Sequence, residues 1–450
     1  MTEPTVVPRS PDTELSSLAA DAFIYGFPHV FDLQQVARFT EAGMGSLAPA
    51  PFNQFSHATD LAGPQDTFVS INNDTVYSIA NVDASGGPVQ LDVPDSGGRY
   101  YVLQFVDVWT NNFAYVGHRA TGTGAGSFQL IAPDGPGDAP DGVAVIRLPT
   151  AIATIVGRWA VDGRSDLAAV RSLQDGLRLI PSGAGAGLPA PAQGVSEDLR
   201  FFEQLRVWMR AFPPADRDRR YAARFEALGL HSADSPYIEP ASELAAALRQ
   251  GLADGRERLE GAIRHGPVPQ QNGWDLTYHS FDYNLDFFEV GALDDPRWKL
   301  ADDEMRYLRR AAAARGGLWG NHGYEAAYAM VYVDADGEPL DGAHGYEMTF
   351  TETPPCRAFW SVTMYDTPDF YLVANPVDRY SIGDRTPGLR RGADGSLTIV
   401  MQREEPAEPE RRANWLPTPA GTFRPILRMY EPDEAVFDGS YVLPGIQRLT

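Results

Sequence analysis

The chain has 450 residues, 43% of them apolar, and a formal charge of −23 at neutral pH. That length and apolar content predict two or three globular domains with ample core. The acidic balance argues against a nucleic-acid partner, since phosphate contacts need clustered Lys and Arg. No membrane partner is expected either, because no run of about 18 apolar residues occurs. The opening stretch MTEPTVVPRSPDTELSS lacks a basic start followed by an apolar core, so a cytoplasmic location is expected. Cys356 is the single cysteine, which excludes an intramolecular disulfide and a Cys-based zinc site; it reads as a small core residue. Lys299 is the single lysine and has no site-like neighbours, so Schiff-base chemistry is discounted.

Residues 13–45 carry an apolar helical stripe through Leu15, Leu18, Ala22, Phe23, Val30, Leu33 and Val36. Gly26 and Pro28 interrupt it and predict a kink or two helices. From 66 to about 160 the text turns to short β runs parted by Gly, Pro, Asp and Ser. Residues 165–180 and 196–264 return to helical spacing, with PSGAGAGLPAPAQG (181–194) as a linker between them. A further helix at 301–316 precedes the second β region, 326–448. Blocks of β, α and β, rather than alternation, predict an α+β fold: two antiparallel β-sandwich or jelly-roll-like domains bridged by a helical region. The expected divisions are a helical segment 1–60, a β domain 61–164, a helical connection 165–325 and a β-sandwich 326–450.

The densest motif is PPCRAFWSVTMYDTPDFYLVANPVDRYSIGDRT, residues 354–385. Trp360 to Tyr365 alternate large and small side chains with period two, as a half-buried strand should. The Asp-Thr-Pro-Asp that follows is turn chemistry, and the Asn-Pro-x-x-Arg-Tyr loop then presents polar groups from a rigid edge. These words, with Val333 to Leu340, Asp394 to Leu397 and Asn414 to Pro417, make residues 307–448 resemble the C-terminal half of a bacterial two-domain family. That family joins two domains of unknown function, catalogued as 1254 and 1214. Tyr25 to Pro28, Asn72 to Tyr77, Arg99-Tyr100, Asp107, Asn111 to Phe113, Gly117 to Gly122 and Arg158 are similar to its N-terminal partner. The resemblance implies the same α+β layout and names no substrate. Many relatives carry an export signal, and relatives usually place a small hydroxyl residue where this chain has His118.

Candidate chemistry follows from elimination and from residue type. The eight histidines form no His-x-His or His-x₃-His pair, so no metal is expected. The segment GTGAGS (122–127) opens no helix and no Gly-x-Ser-x-Gly elbow occurs, so neither a nucleotide cofactor nor a serine hydrolase is supported. The expected catalytic groups are Asp74, Asp107 and His118. Asp74 closes a turn or binds a ligand; Asp107 shares a strand face with Trp109, which predicts a carboxyl with raised pKa; His118 is a base or a strand histidine bonded to backbone. The expected substrate contacts are Asn73, Tyr77, Asn112 and Arg119 from the first β domain, with Trp360, Tyr365, Asn375, Arg379 and Tyr380 from the second. Arginines suit carboxylate, phosphate or sulfate, or the bracing of a buried Asp.

Together these features predict an enzyme of lyase or hydrolase type, without metal or nucleotide. It would act on a polar, anionic or sugar-like small molecule in a cleft between the β domains. The alternative is a non-catalytic carbohydrate-binding, ligand-binding or assembly protein. A homo-oligomer is expected from aromatic content and solubilising charge.

Overall fold

The computed structural model describes residues 11–67, 69–135, 140–266, 268–283 and 303–449; Lys299 lies outside them. The strands of the N-terminal half are β1 (Ser56–His57), β2 (Thr75–Asp83), β3 (Val89–Val93), β4 (Tyr101–Asp107) and β5 (Asn112–Gly117). They continue with β6 (Gly126–Ile131), β7 (Ala144–Arg147), β8 (Ile152–Ala160) and β9 (Arg178–Pro181). Two sheets result, ordered β1-β2-β8-β4-β5 and β7-β6-β3-β9. Their inner faces share one core containing Trp159, Leu103 and Phe105 from the first sheet and Leu91 and Leu130 from the second. Trp159 stacks on Tyr101 at 4.9 Å and satisfies its indole N–H on Ser78 Oγ at 3.0 Å, as a buried Trp requires.

The C-terminal half begins with β10 (Gln270–Gln271), β11 (Trp274–Leu276), β12 (Ala326–Val331), β13 (Tyr346–Phe350) and β14 (Cys356–Asp366). It ends with β15 (Ser381–Gly383), β16 (Leu397–Gln402), β17 (Trp415–Pro417), β18 (Phe423–Pro432) and β19 (Gln447–Arg448). The sheets are ordered β10-β11-β12-β18-β14-β15 and β17-β16-β13-β19. Trp360, Val362 and Met364 of β14 point into the core they enclose, beside Leu427 and Met429 of β18 and Met348 of β13. The fold is α+β, with open sheets.

Two features of the strands place the site. All nine residues of β8 and all ten of β18 are buried, although a strand covering one core buries only alternate side chains. Their second faces are covered because the β2/β8/β4/β5 sheet packs against the β12/β18/β14 sheet. Tyr100, Val102, Tyr115 and Ala160 from one side meet Ala326, Phe359 and Tyr430 from the other. The molecule is therefore two sandwiches laid face to face, with a buried seam between them.

Helices pack at one end of this stack. They are α1 (Pro11–Ala42), α3 (Arg200–Ala211), α4 (Asp216–Ala222), α5 (Ser242–His265) and α6 (Asp303–Gly317), whereas α2 (Leu167–Gln174) packs through Val170 into the core of the first sandwich. Of the two expected alternatives, a kink or two helices, the second does not hold: α1 is a single helix that contains Pro28. Burial of Phe23, Val30, Leu33 and Val36 on either side offsets the backbone bond that Pro28 forfeits, a loss worth ~3 kcal/mol in an isolated helix. At Gly251 of α5 a Cβ would lie 2.4 Å from Ala19 Cβ, so the small residue lets the two helices approach closely.

The β5 end turns at Gly117, with φ of 144° and an ideal Cβ only 2.3 Å from Tyr101 O. This turn aims His118 and Arg119 at the second sandwich. Gly117→Ala is expected to lower stability by ~1–3 kcal/mol in urea unfolding. Gly124→Ala, where a Cβ meets nothing within 4 Å, serves as the control; equal effects of the two substitutions would contradict the packing described.

Candidate active site between the two sandwiches

The seam is polar where it is deepest. Arg158 sits on β8 opposite Tyr77 of β2 and Val102 of β4, facing out of its own sandwich. Arg428 sits on β18 opposite Tyr328 of β12 and Ser361 of β14, facing out of the other. Both are buried, and a buried guanidinium must be satisfied by hydrogen bonds. Arg158 donates to Gln104 Oε1 at 2.6 Å, Asn321 Oδ1 at 3.1 Å and Trp319 O at 2.8 Å. Arg428 donates to Thr363 Oγ1 at 3.1 Å and Ser70 O at 2.7 Å. These partners are neutral, so both positive charges persist in the seam.

Asp74 supplies the opposite charge at the start of the seam. Its Oδ2 accepts from Ser361 Oγ at 2.6 Å and Tyr430 OH at 3.4 Å. The Asx-turn in Asn72-Asn73-Asp74 is closed by Asn72, whose Oδ1 accepts from the Asp74 amide. The Asn72 amide group donates to Tyr430 OH at 2.7 Å, locking the two domains together. Arg385 donates to Asp74 O at 3.0 Å and lies 3.7 Å above the Phe359 ring.

Tyr77 is the exception in this network. Its ring lies beneath Arg158, 5.6 Å from the guanidinium carbon, and it also faces the Arg428 and Tyr430 side chains electrostatically. Its hydroxyl has no hydrogen-bond partner among the described residues. Tyr77 and Tyr328 are half-buried while Arg158, Arg428 and Tyr430 around them are buried, so these two rings border accessible space.

A second cluster closes the seam at the Gly117 turn. Tyr100 OH donates to Glu325 Oε1 at 2.6 Å, and His118 Nδ1 lies 2.7 Å from Glu431 Oε1. Arg119 donates to the Tyr324 carbonyl and stacks 4.2 Å from the Tyr324 ring. Burial, reinforced by the neighbouring Glu431 carboxylate and opposed by the Tyr100 hydrogen bond, pushes the Glu325 carboxyl up to about 8. Glu325 is thus largely protonated at neutral pH. Nothing in Gly-Tyr-Glu-Ala marked it in the sequence.

The other expected site residues have distinct placements. Asp107 holds the β4–β5 turn, accepting from the Trp109 and Asn111 amides at 2.9 and 2.8 Å; burial raises its carboxyl pKa. Asn112 accepts from Gln104 at 2.6 Å and donates to Gly320 O at 3.1 Å, one step from Arg158. Asn73 reaches the Ala62 carbonyl. Tyr365 donates to Ile71 O across the seam and lies 5.5 Å from the Arg428 guanidinium carbon. Trp360 is turned away, into the core against Phe350 at 5.2 Å. Asn375 closes its own loop on Arg379 O at 2.9 Å, Tyr380 donates to Asp378 at 3.0 Å, and Arg379 braces the Ala413 and Trp415 carbonyls at 3.1 and 2.9 Å. Asn375 and Arg379 belong to a loop of the second sandwich and Tyr380 packs at its edge against the cluster of Ala62, Ile71 and Tyr365, whereas Asp74, Tyr77, Asn112, His118, Arg119 and Tyr365 converge on the seam. Burial pushes the Cys356 thiol up to about 12, so it holds no thiolate at neutral pH.

Among the described residues no group of His, Cys, Asp and Glu is placed to hold a metal ion, and no helix is long and apolar enough to cross a membrane. Two family models match the sequence, one in each sandwich. Residues 52–181 match the model described as protein of unknown function (DUF1254), and residues 325–434 match protein of unknown function (DUF1214). The chain belongs to the family that joins these two domains. The crystal structure of the VPA0106 protein from Vibrio parahaemolyticus is similar throughout: TM-score 0.69, 24% identity, 97% of this chain and 100% of that chain covered. It shares the fold. An uncharacterized protein from Burkholderia cenocepacia aligns with TM-score 0.45 and 13% identity over 99% of this chain and 92% of that chain. No protein of curated function matches the sequence.

Glu325 makes the seam pH-sensitive. A carboxyl raised from its ordinary value of about 4.3 to about 8 binds its proton more tightly when folded. Its contribution to stability is complete below pH ~4 and is lost as pH rises through ~8. Glu325→Gln, which keeps an acceptor for Tyr100, removes that loss. The melting temperature of the variant minus that of wild type is expected to become more positive from pH 5 to pH 9. A constant difference would show that Glu325 does not titrate in that interval.

Proposed function

We propose that the protein is an acid–base enzyme of lyase or hydrolase type that takes a polar or anionic small molecule into the seam between its two sandwiches. The observation that carries this reading is the half-buried Tyr77 hydroxyl, without a protein partner among the described residues and close to two buried guanidinium groups that no carboxylate among those residues hydrogen-bonds. Because no protein acceptor among the described residues engages that hydroxyl, it can donate to a ligand without breaking an existing protein hydrogen bond. A ligand oxygen seated there would accept from Tyr77 and face the charges of Arg158 and Arg428. That is the arrangement needed to stabilise negative charge developing on a leaving or carbonyl oxygen. Asp74, bonded to Ser361 and Tyr430, supplies a carboxylate on the same seam as the base. The chemistry draws on proton transfer and anion stabilisation alone and needs neither metal nor nucleotide.

One observation favours the second reading, a non-catalytic ligand-binding or assembly protein: Arg158 and Arg428 are already satisfied by protein partners. Incubation of the purified protein with a bacterial metabolite extract, followed by mass spectrometry, separates the two. Wild type is expected to consume one small-molecule feature. Asp74→Asn and Tyr77→Phe are each expected to slow that consumption by ~10²-fold or more while retaining the wild-type circular dichroism spectrum. A metabolite retained but unchanged would support the binding reading, and neither consumption nor retention would overturn both.

A further inference from the structure

Apart from the seam, the helices enclose a cavity of about 340 Å³ between α1, α3 and α5. That volume lies at the low end of the range for small-molecule sites, roughly 300–1,000 Å³. Its wall is aromatic. Phe23, Phe27 and Phe31 follow one another at intervals of four on α1 and so share one face, with Phe27 and Phe31 stacked at 5.3 Å. Phe201 of α3 meets Phe23 at 4.8 Å. Phe27, Phe31 and Phe201 are only half-buried, so the folded chain leaves this apolar surface open to a ligand.

The rim is cationic in one place. Arg200 is paired with Glu197 at 2.7 Å and Arg315 with Glu260 at 3.4 Å, which neutralises both. Arg256 on α5 also lines the cavity, yet it has no ion-pair or hydrogen-bond partner among the described residues. Leu252 and Leu259 lie four residues before and three after it, both in the same lining, which puts the guanidinium beside apolar wall. An unpaired cation at the mouth of an aromatic cavity, in a chain of charge −23 with carboxylates in excess, is matched by one chemistry.

We propose that this cavity binds a small monocarboxylate with a ring-bearing tail, an arylalkanoate, with the ring against Phe27, Phe31 and Phe201 and the carboxylate on Arg256. The walls come from α1, α3 and α5, all outside the segments 52–181 and 325–434 that define the family. The site is therefore separate from the seam and does not rest on the function proposed for it. The charge-assisted contact supplies the preference for an acid over its amide, and the aromatic wall supplies the preference for a ring over a short alkyl chain.

Isothermal titration of the full chain with 3-phenylpropanoate, 3-phenylpropanamide and propanoate tests both halves. Saturable one-to-one binding of 3-phenylpropanoate is expected, about tenfold or more tighter than the amide, with no saturation by propanoate. Arg256→Gln, an exposed position, is expected to abolish the difference between acid and amide. The proposal is overturned if wild type gives no saturable heat with 3-phenylpropanoate at millimolar concentration, if the amide or propanoate binds as tightly, or if Arg256→Gln keeps the wild-type preference.

Discussion

Burying a guanidinium away from water, with neutral groups rather than a carboxylate as its hydrogen-bond partners, is the constraint around which this molecule is arranged. Arg158 and Arg428 stand on the central strands β8 and β18, on faces that a solitary sandwich would leave to solvent. Each can be buried only if the other sandwich, and the loops between, deliver hydrogen-bond acceptors to fixed points. Arg158 takes Asn321 and Trp319 O from the approach to β12, and Arg428 takes Ser70 O from the loop before β2. Each cation is thus held partly by the opposite half of the chain. Leaving a buried charge without such partners costs on the order of several kcal/mol, comparable with the stability of a whole domain.

The same exchange of partners recurs along the seam. Tyr100 bonds Glu325, His118 meets Glu431, Asn72 bonds Tyr430, and Ser361 bonds Asp74. In every case one member comes from each sandwich, so polar satisfaction of either domain depends on the other being docked. The two family-defining segments supply these contacts. The helical layer, which lies outside those segments, supplies its own core and a separate aromatic cavity. The tyrosine ring under a guanidinium and the raised Glu325 carboxyl are the features of the seam on which the proposed function rests.

Much of this was legible in the sequence, and the reason differs by element. Period-two runs marked both β regions, and the Asn-Asn-Asp-Thr and Gly-His-Arg motifs marked the points where the first sandwich meets the second. Strand β18 was not legible as a site. Arg424, Ile426, Arg428 and Tyr430 alternate with apolar residues in the manner of a half-exposed strand, and only docking reveals that the polar face is buried too. Trp360 was misplaced for the reciprocal reason: a large aromatic beside Ser361 reads as presented, but the pleat sends odd positions to the seam and even ones to the core. Strand β9 overlaps the end of a stretch read as helical and β11 falls between two such stretches, because strands of three or four residues carry too little periodicity to register.

The central claim is that the two sandwiches form one cooperative unit through buried charges that each half satisfies for the other. Hydrogen exchange read by mass spectrometry on wild type and Arg428→Gln tests it most directly. The account expects the substitution to reduce protection together in β18 and β14 and, across the seam, in β2 and the loop carrying Ser70. Loss of protection confined to the second sandwich, with β2 and that loop unchanged, would contradict it.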